Sequence, residues 1–190
     1  MMTRDEFNDE MWLTYKARFN AHSRLLNQEM LYTVTISFLS FFVIAINILQ
    51  LIPELVGIKQ NATTFYTITI SIFILIISLI NNFSARRHNA ERFHKCALEI
   101  KGLYGKFSAM PDSMPNEDYI AFIKKYNSIQ QKYEINHLKC DYQQVLIGRK
   151  GTYFKDKLFF YIKYFIETYL FCIILLIIPI VFGLIIIFIK

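Results

Sequence analysis

Residues 165–189, FIETYLFCIILLIIPIVFGLIIIFI, are an apolar run with Glu167, near its start, as the one charge. A hydrocarbon layer about 30 Å thick needs on the order of 20 apolar residues in helical form, because only a helix satisfies its own backbone polar groups there. Two further stretches meet the same requirement without an internal Lys, Arg or Asp: 31–52, LYTVTISFLSFFVIAINILQLI, and 65–83, FYTITISIFILIISLINNF. A water-soluble chain of 190 residues would disperse its apolar residues along amphipathic elements instead of gathering them into three blocks. The reading is an all-α integral membrane protein with three spans.

The first 30 residues are charged and helix-patterned, unlike a secretory signal with its basic end and short apolar run. Residues 1–30 hold four Lys and Arg, the 53–64 loop holds only Lys59, and residues 84–164 hold fifteen against eight Asp and Glu. The excess of positive charge predicts a cytoplasmic N-terminus and middle segment, with the 53–64 loop and Lys190 outside. Cys96 and Cys140 then lie on the reducing side and Cys172 within a span, so no disulfide framework is expected. Asn61-Ala-Thr63 spells a glycosylation acceptor, but so close to the membrane it reads as a chance match.

Outside the spans, apolar residues recur at three- and four-residue steps in three places. The first series, Trp12, Tyr15, Phe19, His22, Leu26, Met30, runs into the first span. The second leaves the second span through Arg86 and Arg87 and continues Ala90, Phe93, Ala97, Ile100, Tyr104, Phe107. After Pro111 and Pro115, Asn116 reads as an N-cap, and a third series follows: Tyr119, Phe122, Tyr126, Ile129, Tyr133, Asn136, Cys140. The pattern predicts an antiparallel hairpin completed to a three-helix bundle by the N-terminal helix. The break at Gly148 to Gly151 precedes a basic, aromatic lead-in, Tyr153 to Tyr164, expected at the headgroup level before the chain turns across. Four regions result: an amphipathic helix over 1–30, a transmembrane hairpin over 31–83, a helical hairpin over 84–150, and an interfacial helix with the third span over 151–190.

Three segments, Trp12-Leu-Thr-Tyr-Lys-Ala-Arg18, Ala90-Glu-Arg-Phe-His-Lys-Cys-Ala97 and Tyr133-Glu-Ile-Asn136-His137-Leu-Lys-Cys-Asp141-Tyr142, resemble the SLATT family, the SMODS- and SLOG-associating two-transmembrane effectors, and within it the fifth subgroup. The resemblance implies a bacterial antiphage or conflict effector that perturbs the inner membrane when a partner triggers it. The implied partners are a reverse transcriptase, a cyclic-nucleotide synthase or a SLOG-type sensor. The family is named for two spans and this chain carries a third. The motif residues Trp12, Arg18, Asn136, His137 and Asp141 form a candidate coupling layer. Asn136 falls on the seam of the third series, where a buried polar residue sets register, and His137 lies just off it. Such a layer is either a hydrogen-bonded structural feature or a bistable joint that passes a signal to the spans.

Thr33, Ser37, Ser40 and Asn47 share one face of the first span, as do Thr67, Ser71 and Ser78 on the second. The stripes serve either tight helix packing or, in a homo-oligomer, the lining of a water-filled path; three helices alone cannot enclose one. The third span has no such face and reads as peripheral. No intramembrane charge marks a relay of the kind a pump needs. No catalytic motif, cofactor site or metal site is expected, since His94 and Cys96 fall on different helical faces. Arg86 and Arg87 are placed to meet anionic lipid. Direct nucleic-acid binding is not expected. A non-pore membrane scaffold docking a polymerase or nuclease is the alternative reading.

Overall fold

The computed structural model describes residues 2–51, 60–148 and 154–188. Among these it contains six helices: α1 (Arg4–Gln50), α2 (Gln60–Phe83), α3 (Arg86–Ser108), α4 (Asn116–Tyr133), α5 (Lys139–Gly148) and α6 (Phe154–Phe188). Three of them provide segments long and apolar enough to cross a membrane. The expected outer loop over 53–64 falls mostly outside the described residues, as do Tyr153, Lys190 and most of the Gly148 to Gly151 break. Two compact units emerge: a bundle unit of Met1–Leu26 with Arg86–Tyr164, and a span unit of Asn27–Ala85 with Phe165–Lys190.

The bundle unit begins at a capping box. Thr3 Oγ1 accepts the Glu6 amide at 3.3 Å while Glu6 Oε2 accepts the Thr3 amide at 2.8 Å, and these hydrogen bonds hold the Glu6 carboxyl below its usual range. Phe7, Met11 and Tyr15 of α1 then bury against Cys96, Ala97, Ile100, Leu103 and Phe107 of α3 and Tyr126, Ile129 and Tyr133 of α4. The Phe7 ring meets Phe107, Tyr119 and Tyr126 edge-on at 5.1 to 5.8 Å between centroids. Glu99 accepts from Lys132 at 2.5 Å and from Tyr133 at 2.7 Å, and Phe107 packs on Phe122, so α3 and α4 run antiparallel. Burial pushes the Tyr126 phenol up to about 12, which keeps it a donor toward Glu10 Oε1 at 3.2 Å.

Four local details differ from the sequence pattern. Pro115, not Asn116, is the cap of α4, with no side-chain cap bond; the Pro ring fixes φ at −57°, and a ψ of 145° leaves the residue extended. The second and third helices are not continuous, because Ala85 takes a left-handed φ of 50° between α2 and α3. The third series stops at Tyr133: Glu134 is left-handed at φ 46°, its amide donating back to Gln130, and a non-helical stretch to Leu138 precedes α5. Conversely, α6 runs unbroken through Tyr164 and Phe165, so the lead-in and third span are one helix with no turn between them.

In the span unit, Thr35, Leu39, Val43 and Ile46 are the buried face of α1, and Thr63, Tyr66 and Thr67 that of α2. Thr63, the end of the acceptor tripeptide, is thus buried in the first turn of α2. The third span packs through small residues: Thr168, Cys172, Pro179 and Gly183 recur along one side of α6. A Cβ at Gly183 would stand 2.9 Å from Tyr66 Oη and 3.1 Å from Phe42 Cε1, so glycine lets α6 approach both other spans. The Tyr66 hydroxyl donates to the Pro179 carbonyl. The third span is therefore not a peripheral helix; the smallness of these residues, not their polarity, makes them an interface. Large apolar side chains such as Phe41, Phe65 and Ile178 stay more than 60% exposed, which suits lipid as the solvent.

Candidate functional site: a buried ion-pair layer and two polar membrane faces

The bundle unit places a polar layer on the side of α1 that carries Ala17 and Ala21. Those small residues leave room for long neighbours, and Arg18 and Arg24 fill it, 3% and 7% exposed. Opposite Arg24 sits Asp141, fully buried in the first turn of α5. The pair is bidentate: Arg24 Nε to Oδ1 at 2.8 Å and Nη2 to Oδ2 at 3.0 Å. Oδ2 also accepts the Leu138 amide at 3.0 Å, so one carboxylate both caps α5 and holds it to α1. Asn20 donates to the Asp141 carbonyl at 3.0 Å, and Val145 packs on Leu13 and Ala17, one turn further along. Burial lowers the Arg24 guanidinium, but the Asp141 hydrogen bond and charge raise it by more.

Arg18 faces α3 and donates to the Cys96 sulfur; its Nε has no partner among the described residues. Burial pushes the Cys96 thiol up against the pull of Arg18, so the contact is a thiol accepting from a cation. One turn on, His22 Nδ1 lies 2.9 Å from the Ala90 carbonyl, and the His22 and His94 rings stand 4.7 Å apart. Two of the three motif segments thus meet through Arg18 and Cys96, and the third docks through Asp141.

The five expected layer residues separate. Arg18 and Asp141 are buried, His137 and Trp12 half-buried, and Asn136 exposed in the stretch that follows α4. Asn136 is not a seam residue, because the helix that would have carried it there ends three residues earlier. Asn136→Ala is therefore expected to change stability by no more than about 0.5 kcal/mol, read from denaturant unfolding. Arg24 is absent from the sequence reading, yet its spacing of seven from Ala17 and three from Ala21 places it on the buried face.

His137 supplies a pH dependence. Burial, then the Arg18 charge, hold its imidazole below 6.5, against the opposing effect of Asp141. A histidine depressed in the folded state stabilises fully above 6.5, and that contribution is lost as pH falls below it. The melting temperature of the bundle is expected to drop between pH 7.5 and 5.5, and to drop less in His137→Gln. Equal pH dependence of the two proteins would remove His137 from this role.

The polar stripes of the span unit lie mainly off the packed seam. On α1, Thr33, Ser37 and Asn47 are exposed and Ser40 is half-buried; on α2, Ser71 and Ser78 are exposed while Thr67 is buried at 3%. Thr33, Ser40 and Ser71 donate to the carbonyl four residues back, at 3.0, 2.9 and 2.7 Å, which satisfies them within their own helices. The side-chain amide of Asn47, one carbonyl and one NH2, makes no hydrogen bond among the described residues. Arg87 is exposed, 4.0 Å from Glu91, and Arg86 is half-buried. The described residues contain no group of three or more side chains able to hold a metal ion.

A family model described as SMODS and SLOG-associating 2TM effector domain family 5 matches residues 3–185, a span that takes in all three apolar helices and the whole polar layer. Neither the curated proteins nor the solved structures contain a match.

Proposed function

The chain belongs to SMODS and SLOG-associating 2TM effector domain family 5, and from that premise we propose that it is a gated effector that permeabilises the membrane in bacterial antiphage defence. When a partner triggers it, copies assemble so that the polar faces of α1 and α2 meet around a common axis and admit water. The Lys and Arg distribution supports a cytoplasmic N-terminus and bundle unit at the inner membrane, where SMODS- or SLOG-type partners, or a reverse transcriptase, would reach them.

One observation supports this reading: packing among the described residues does not use Thr33, Ser37, Asn47, Ser71 or Ser78. Serine and threonine tolerate lipid by bonding back to their own helix, but an asparagine amide facing hydrocarbon leaves several polar atoms unsatisfied, at a cost of order 2 kcal/mol or more. A second copy, or water admitted between copies, removes that cost. The buried layer at Arg18, Arg24, His137 and Asp141 is the coupling element, because it fixes α5 and α3 to the helix whose continuation is the first span.

Asn47→Leu is expected to insert normally and to cut potassium efflux from triggered cells severalfold, with Ser40→Leu, half-buried and satisfied within its helix, doing less. Undiminished efflux from inserted Asn47→Leu would remove this face from the lining.

A further inference from the structure

We propose that the groove between α3 and α4 is the docking site for an acidic amphipathic helix of a partner protein. Two adjoining cavities of about 330 and 290 Å³ share Leu103, Lys106 and Lys125, so they form one trough. On the α4 side its lining runs from Asp118 to Lys132, about 21 Å or four helical turns. The floor is apolar, with Leu98, Leu103, Phe122 and Ile129, and Leu98 is 48% exposed. The rim is basic. Lys132 is engaged by Glu99, but Lys106 and Lys125 have no ion-pair partner among the described residues.

Gly102 supplies the second observation. A glycine in an exposed helix interior costs about 1 kcal/mol relative to alanine. A Cβ there would meet nothing within 4 Å, and the same holds for Gly105, so packing among the described residues explains neither. Both are explained if another backbone lies close along α3. The charge pattern selects the occupant. The lining has lysines and no arginine, and so lacks the planar fork that clasps phosphate bidentately. Ammonium groups above an apolar trough match a helix with apolar anchors in the floor and Asp or Glu at its edges.

This reading names where the proposed trigger would bind, but its test does not need the membrane to open. Full-length protein in phosphatidylcholine nanodiscs is titrated with a fluorescein-labelled helical peptide of about 18 residues bearing Leu on one face and Glu on the other. The Glu peptide is expected to bind and its Lys counterpart not to. Lys106→Glu with Lys125→Glu is expected to weaken binding about tenfold or more. Gly102→Leu, which adds side-chain atoms where a Cβ meets nothing within 4 Å, should weaken it similarly with no loss of helicity or of melting temperature. Three results would each overturn the proposal: equal binding of the two peptides, unchanged affinity in Gly102→Leu, or displacement of the peptide by phosphatidylglycerol vesicles, which identifies a lipid-facing surface. Binding with the predicted dependence in a protein that never permeabilises cells would keep the groove and reject the pore.

Discussion

Asp141→Ala is expected to destabilise the bundle by about 3–5 kcal/mol, the cost of leaving a buried charge without its partner. The carboxylate is fully buried and accepts two hydrogen bonds from Arg24, one from the Leu138 amide and a long one, 4.0 Å, from the Cys140 thiol. Its removal strands Arg24, only 7% exposed, and uncaps α5. Trp12, the single tryptophan of the chain, packs on the core shared by α1, α3 and α4 and on the α5 contact, so its fluorescence reports unfolding of this unit directly. Replacing both partners, Arg24→Met with Asp141→Leu, is expected to recover most of the loss, because desolvation of two ions largely offsets their attraction. A loss below 1 kcal/mol in the single variant would mean that water reaches Arg24 and the layer is not sealed.

Gly183→Leu is expected to force α6 away from the other two spans. The first added carbon would already lie 2.9 Å from Tyr66 Oη and 3.1 Å from Phe42 Cε1, and three more would follow it. Overpacking of this kind costs about 1–3 kcal/mol, and the Tyr66 bond to the Pro179 carbonyl is lost with it. Cys172, 2% exposed on the same side of α6, is the reporter. Its labelling by a membrane-permeant maleimide should be slow in the native protein and much faster in the variant. Equal labelling rates would show that the third span does not depend on this approach.

The spans were legible because a bilayer imposes a length and a composition, both written locally in the chain. The bundle core was legible for a similar reason: Ala90, Phe93, Ala97, Ile100 and Phe107 repeat at helical steps, and all five are buried. The end of α4 was not, since Glu134 takes a left-handed conformation without the glycine that usually announces one, and the apolar spacing continues past it. Arg24 and Asp141 stand 117 residues apart, and no local pattern announces such a pair. The packing of the third span was misjudged because, in lipid, contact between helices is written in small size instead of in polarity. The polar stripes had the reverse difficulty: packing and lining predict the same residues, and only the position of the buried seam separates them.

Membrane potential in bacteria, followed with a voltage-sensitive dye, tests the central claim most directly. The chain is induced alone, then with its genomic neighbours under trigger, each time as the native sequence and as Asn47→Leu. Depolarisation confined to the triggered native protein is the predicted result. A potential that never changes, with the protein confirmed in the inner membrane, would contradict a permeabilising effector and favour a scaffold whose basic groove recruits another enzyme.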